Sequence, residues 1–396
     1  MIDFKGRYAS CRVFADAIEE TAEEQIKTFL DCPAFDGAKI RIMPDVHAGA
    51  GAVIGFTAPL GDKVIPNVIG VDIGCGVHSV LYGDRAADLV FADFDRMLRL
   101  AVPAGFSVRE RPYARMESVW NGGIGDGFAE FQEDVDLVSE KTGQDHGRVW
   151  KSIGTLGGGN HFIEIGKDDD GNVWLTVHSG SRNFGLKVAL HHQKKAIAQM
   201  GKQGGLEWLS GDDAEEYLRD MRTAQKFADL NRRCMLDAIG DFMPEPDGHV
   251  ASVHNFIGDD DVIRKGAISA HYGEKVVIPW NMRDGLIIGR GKGKEDWNNS
   301  APHGAGRVMG RKQAKRTLDA DEFFDDMRSA GIWSTCVGPD TLDESPEAYK
   351  DHSSVKLALA ESVTVERTVR PVYSFKASKH IYDSTGGKDD RQSGAM

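Results

Sequence analysis

The stretch VIPNVIGVDIGCGVHS, residues 64–79, sets Cys75 between Gly74 and Gly76, three positions after Asp72, in otherwise largely apolar surroundings. It belongs to a longer run, KVIPNVIGVDIGCGVHSVLYG (63–83), whose β-branched residues read as strand. Upstream, AKIRIMPDVHAGAGAVIGFTAPL puts Ile40 and Ile42, then Val53 and Ile54, on short strands broken by a glycine-rich turn. Residues 15–31 carry Ile18, Ala22, Ile26, Phe29 and Leu30 at helical spacing with acids opposite. Residues 127–141 and 211–243 also read as helices. In the second, Met221, Ala224, Ala228, Met235, Ala238 and Phe242 share one face, which reads as core-facing and not as a cofactor box. After residue 250 the chain returns to short strands: ASVHNFI, GAISAHYG, KVVIPWNM and LIIGRGK. A last helix is expected near 346–360 and a strand over VERTVRPVYSFKA. Strands and helices mix without a βαβ rhythm, so the expected class is α+β. We expect a single compact domain over 1–376 with mixed β-sheets flanked by helices, a helical insertion near 186–243, and a polar tail over 377–396.

The totals set limits. The chain has 396 residues, 41% hydrophobic and 28% charged, which is ordinary for a globular protein with a substantial core. No run of about 18 apolar residues occurs, and MIDFKGRYAS lacks a signal pattern, so a cytoplasmic protein with no membrane partner is expected. Five scattered cysteines with no CxxC pair argue against a disulfide framework and an all-cysteine zinc site. A lone thiol is ordinarily a small buried hydrophobe, so Cys75 needs context. The net charge of −13 argues against broad electrostatic capture of nucleic acid. Two basic islands, RDGLIIGRGKGK (283–294) and RVMGRKQAKR (307–316), stand against that average and flank one motif, which favours a phosphate-binding face.

Context comes from four of the 13 histidines: His161 in GTLGGGNHFIE, His178 in LTVHSGSR, His254 in SVHNFI and His303 in NNSAPHGAGR. Each sits beside a short apolar run or a small polar turn, where side chains converge at a sheet end. With Asp72 and Cys75 they form an Asp/Cys/His set suited to a borderline divalent ion such as Zn or Mn. A thiolate can also bridge two metals. Other chemistries fail by absence: there is no GxxxxGK[ST] loop, no KxDG lysine-nucleophile ligase motif and no HExxH helix, while KDDDG (167–171) looks like a hairpin turn.

Together, MPDVHAGAGAVIGFTAP, IPNVIGVDIGCG, GTLGGGNHFIE, VHSGSR, RKGAISA, SAPHGAGRVMGR and RPVYSFKA follow the order and spacing of the RtcB-type RNA ligases, over about residues 40–376. The chain resembles that family. The resemblance implies a GTP- and Mn-dependent ligase that joins an RNA 3′-phosphate or 2′,3′-cyclic phosphate end to a 5′-hydroxyl end through a covalent histidine–GMP intermediate. It implies that Asp72, Cys75 and His161 hold one Mn, and that Cys75, His178 and His254 hold a second, with Cys75 bridging. His303 would be the nucleophile. Asn160, His161, Phe162, Ile163, Glu164, His254, Asn255, Pro279, Trp280, Asn281, Met282, Leu286, Gly304, Ala305, Gly306 and Lys376 would surround GTP, Lys376 reading the guanine. Arg182 and the 307–316 run would bind the RNA backbone. RNA with broken ends (tRNA or rRNA) and an archease-like activator are the implied partners, in RNA repair or tRNA splicing. The chain departs from the family at PWNMRDG (279–285), where the family carries a stretch of small residues like PGSMG, and at Leu286, which replaces a serine. That suggests a divergent paralogue. Two other readings stay open: a metal-dependent phosphodiesterase opening cyclic phosphates without ligation, and a non-catalytic RNA- or ribosome-associated factor.

Overall fold

Two sheets organise the chain. In a computed structural model that describes residues 1–201 and 204–381, seven strands form one sheet in the spatial order Gly248–Val253, Gly76–Gly83, Val173–Ser179, Phe162–Asp168, Val363–Phe375, Leu286–Gly291 and Lys275–Pro279. Every neighbouring pair in it is antiparallel. A second, six-stranded sheet runs Ile2–Lys5, Ser10–Val13, Lys39–His47, Ile54–Pro59, Val262–Lys265 and Asn255–Ile257, with one parallel pair, Ser10–Val13 beside Lys39–His47. Ala267–Ser269 pairs with Ser300–Pro302 in a small separate ribbon. The result is a single compact α+β fold. From residue 382 on, the expected tail lies outside the described residues.

The expected helices form at Glu20–Leu30, Phe128–Lys141, Asp212–Gly240 and His352–Leu359. The long helix Asp212–Gly240 buries Met221, Ala224, Ala228, Met235 and Ala238 as the periodicity requires, whereas Phe242 lies past its end and is only half-buried. Each large apolar side chain so removed from water contributes about 1.5–3 kcal/mol. It packs against the helix Arg182–Met200. KDDDG forms the turn between the antiparallel strands Phe162–Asp168 and Val173–Ser179, as expected. The run 63–83 is less strand-like than its composition suggests. Only Lys63–Val64 and Gly76–Gly83 are extended, because Pro66 opens one helical turn, Pro66–Ile69. Proline's locked φ suits a first helical position and its missing N–H costs nothing there.

Candidate functional site

Register explains how four distant histidine segments meet. Gly76 lies opposite Ser179 on one side and Val253 on the other, and Phe162 lies opposite His178. Cys75, His178, His161 and His254 therefore stand at the same end of four adjacent strands. Lys376 joins them, since it follows Phe375, which pairs with Ile163. The turn before Gly76 is shaped by glycine. Gly74 adopts φ +71°, and a Cβ there would lie 2.9 Å from both Ala228 Cβ and Gln225 Cα. The turn's carbonyls are held by the long helix: Arg232, 1% exposed, donates from Nη1 to the carbonyls of Gly74 (2.7 Å) and Ser179 (2.8 Å). Asn231 beside it accepts from Gly154 N (2.8 Å) and Thr155 N (3.1 Å) and donates to Ser179 Oγ and Gly180 O (3.1 Å each). Periodicity places these two on a core face but gives no sign that they support a site.

The donor atoms converge as two sets sharing Cys75: Asp72, Cys75 and His161, and Cys75, His178 and His254, with all atoms of a set within 4.8 Å of one another. Cys75 Sγ lies 3.5 Å from His161 Nε2 and 3.3 Å from His178 Nε2; His178 Nε2 lies 3.4 Å from His254 Nε2. Carbonyls choose the tautomers: His161 Nδ1–H donates to Leu156 O (2.8 Å) and His178 Nδ1–H to Asn160 O (3.2 Å). Lone pairs on Nε2 of both rings then face a thiol and, for His161, the Asp72 carboxylate at 2.9 Å. Burial, reinforced by neighbouring histidines, holds His178 and His254 well below the usual imidazole range, so both are neutral ligands. Burial pushes the Cys75 thiol well up, with Asp72 adding to it. A crowd of inward-facing acceptors with carbonyl-fixed outer nitrogens fits bound cations.

His303 arrives from the other side, after the strand Ser300–Pro302. Its backbone N–H (3.2 Å) and its Nδ1–H (2.7 Å) both donate to Oδ2 of Asp45, a fully buried carboxylate on the strand Lys39–His47. Asp45 Oδ1 has no hydrogen-bond partner among the described residues. With Nδ1 so engaged, Nε2 is the nitrogen left for other partners, and the His303 ring lies 4.9 Å from that of His254. Gly306 must be glycine, since a Cβ there would stand 2.3 Å from Asp45 O. Asp45 is part of MPDVH, but nothing in one sequence says that its partner is His303, 258 residues away.

Between the two sheets these groups line a cavity of about 560 Å³, a size that suits a small ligand such as a nucleotide. Of the residues expected around GTP, Asn160, Phe162, Glu164, His254, Asn255, Pro279, Trp280, Asn281, Met282, His303, Gly304, Ala305, Gly306 and Lys376 line it. Three expected contacts are elsewhere. His161 lies beneath the wall among the metal donors, Ile163 is buried with Leu156 and Tyr373, and Leu286 packs with Val77, Trp174 and Val369. The strand alternation that aims Phe162 and Glu164 at or near the cavity turns Ile163 away.

Sequence reasoning missed Glu344 and Tyr349, which line the same cavity. Glu344, 3% exposed, meets Lys376 Nζ at 3.2 Å, Arg307 at 3.5 Å and Arg311 at 3.9 Å, and accepts from Tyr349 OH at 2.7 Å. Burial raises Glu344, but these cations outweigh it and leave it below its usual range. Lys376 also donates to the carbonyls of Asn160 (3.2 Å) and His161 (3.3 Å) and lies 5.6 Å over the Phe162 ring. Glu164, buried and only weakly relieved by Lys376, is pushed up to about 8 and holds its proton at neutral pH.

The basic islands divide. In 283–294, Arg283 is spent on Asp284 and Asp326, Arg290 on Glu366, and Lys292 on the Ala360 carbonyl. In 307–316, Arg307 and Arg311 line the cavity. Arg182 is partly buried, donating to Thr155 Oγ1 (3.2 Å) and Gly105 O (3.1 Å). No helix among the described residues is long and apolar enough to cross a membrane.

Comparison with known proteins agrees with this architecture. Residues 25–377 match the family model described as tRNA-splicing ligase RtcB. The RNA-splicing ligases RtcB1 and RtcB of two Escherichia coli strains are 32% and 31% identical, each over 91% of this chain and 95% of its own. The tRNA-splicing ligase RtcB of Aeropyrum pernix is 28% identical over 84% of this chain and 86% of its own. A metal-capable Asp/Cys/His centre, a carboxylate-held histidine and a match along nearly the whole chain lead to one conclusion: this chain belongs to the RtcB family of tRNA-splicing ligases.

Proposed function

We propose that this chain is an RNA ligase that uses GTP and two Mn ions to join a 3′-phosphate or 2′,3′-cyclic phosphate end to a 5′-hydroxyl end. The observation that carries the reading is the His303–Asp45 pair beside the shared-cysteine donor sets. His303 Nε2 attacks the α-phosphorus of GTP: an N–P bond forms, the bond to pyrophosphate breaks, and Nδ1 keeps its proton, which it donates in a hydrogen bond to Asp45 Oδ2. A 2′,3′-cyclic end is first opened by water, with the bond from phosphorus to O2′ breaking; the guanylate then passes to an oxygen of the RNA 3′-phosphate as the N–P bond breaks, and the 5′-hydroxyl displaces GMP as the new phosphodiester forms. Asp72, Cys75, His161, His178 and His254 would hold the ions, which neutralise phosphate charge when bound. Lys376, Glu164, Glu344 and Tyr349 line the cavity and would supply polar groups to the base, and the Gly304–Gly306 backbone, also in the lining, would face phosphate. RNA with broken ends, in tRNA splicing or repair, is the substrate class, in the cytoplasm. An archease-like activator belongs to the same reading. So does a ligase domain over 1–376 in which the helices near 186–243 are an insertion.

The test is incubation with labelled GTP and Mn. Acid-labile label on the wild-type protein and none on His303→Ala is expected. A wild-type protein that takes no label, or a variant that labels equally, overturns the reading. Opening of cyclic phosphate without GTP and without joined product would favour the phosphodiesterase instead.

A further inference from the structure

Phe106 is 98% exposed, more than any other large apolar side chain among the described residues. Its backbone is nevertheless well held. Leu156 N–H donates to Pro103 O and Gly105 N–H to Gly157 O (2.9 Å each). Arg182 Nη2 donates to Gly105 O at 3.1 Å, and Arg148 Nη2 to the Phe106 carbonyl itself at 3.2 Å. Four bonds thus fix the segment while its ring is left in water.

The place where it is fixed is the rim of the cavity. A Cβ on Gly158 would stand 3.9 Å from both Gly105 Cα and Ala377 Cβ, and Ala377 follows the wall residue Lys376. Next along the chain, Arg311 Nη1 overhangs Gly159, 2.7 Å from where a Cβ would be, and Asn160 is already in the wall. An exposed ring, a glycine floor and a guanidinium therefore lead in sequence into the site. Arg148, which holds the Phe106 carbonyl, is exposed, as is Arg111 five residues further along the chain. The acids beside them are Glu110 and Asp145, and Asp145 is engaged by the Arg148 N–H at 2.6 Å.

We propose that Phe106 is a stacking platform for one unpaired nucleobase of the RNA strand whose end enters the cavity. The inference rests on the RNA-ligase reading above. Stacking on an aromatic face is tolerant of base identity and pairs naturally with cationic groups that follow the backbone. RNA ends offer the unstacked bases this requires. One ring amid arginines offers far less apolar area than the roughly 800 Å² per partner of a stable protein interface, so the strand and not a second protein is the occupant that fits.

The experiment uses the full chain and single-stranded RNA oligonucleotides, one set ending in 3′-phosphate and one in 5′-hydroxyl. Each carries a single 2-aminopurine at successive positions from the end. Wild-type protein should quench the probe at one position of one strand. Phe106→Ala should lose that quench and bind the same strand about 5- to 150-fold more weakly, Phe106→Tyr should keep both, and Phe106→Leu should behave as Phe106→Ala. Unchanged binding and quenching in Phe106→Ala, or full rescue by leucine, overturns the platform. So does a wild-type dimer in sedimentation that dissociates in Phe106→Ala with RNA affinity intact. GTP labelling of the wild-type protein keeps the two levels apart. Label present with an indifferent Phe106→Ala sinks the platform alone; no label and no strand binding sinks the ligase reading with it.

Discussion

At the scale of the residue, chemistry here depends on which nitrogen of each histidine is tied down. Asp45 holds His303 Nδ1–H at 2.7 Å and so frees Nε2. In Asp45→Asn the amide can donate to Nδ1 and move the ring proton to Nε2. Single-turnover guanylylation should then fall about 10²- to 10⁴-fold, in line with other carboxylate-oriented histidines, with thermal unfolding little changed; a rate within twofold of wild type would refute the assignment. Cys75 is the atom both donor sets share. Elemental analysis of Cys75→Ala should show metal lost from both sets, and retention of two equivalents would defeat the bridging role. The cysteine and its histidines were legible in the chain because their motifs are distinctive. Asp45, Glu344 and Tyr349 were not, because a buried carboxylate or phenol gains its meaning from whatever it faces across the fold.

At the scale of the element, the long helix Asp212–Gly240 does more than fill the core. Its periodicity told its buried face correctly, yet periodicity is blind to what a buried polar residue grips. Arg232 holds the carbonyls of Gly74 and Ser179, on either side of the donor cluster, with Asp229 at 3.7 Å as its counter-charge. Arg232→Ala removes both of these buried hydrogen bonds, at about 1–3 kcal/mol each. The expected result is a lower midpoint in urea together with weaker metal retention. A destabilised protein that holds metal as tightly as wild type would show that the arginine serves packing only. The run 63–83 teaches the complementary lesson. Its β-branched composition suggests strand, but Pro66 and Gly70 impose a helical turn, and that turn leads into the loop presenting Asp72 and Cys75.

At the scale of the whole molecule, the neutral histidines make the fold acid-labile. His78, beside the site but outside the donor sets, is held at about 3 by burial, with Asp229 opposing. Between that value and the usual 6.5 the unfolded chain binds a proton that the folded chain refuses. Its stabilising contribution is therefore complete above pH 6.5 and falls as pH drops toward 3, by about 1.4 kcal/mol per unit. His78 Nδ1 has no hydrogen-bond partner among the described residues, so His78→Leu removes the titration without breaking a bond at that atom. Urea unfolding between pH 4 and 6.5 should show a slope reduced by about one proton, and an unchanged slope would contradict it. The sequence by itself determined the α+β class, the main helices, the family and the metal-capable set, because amphipathic period and dense motifs are local properties. Only the tertiary structure decided that Asp45 orients His303, that Arg232 secures the cysteine turn, that Leu286 leaves the cavity and that both arginines of the 283–294 island are paired with acids. Those are facts of strand register and of which buried charges meet, and pairings made across hundreds of residues leave no trace in local composition.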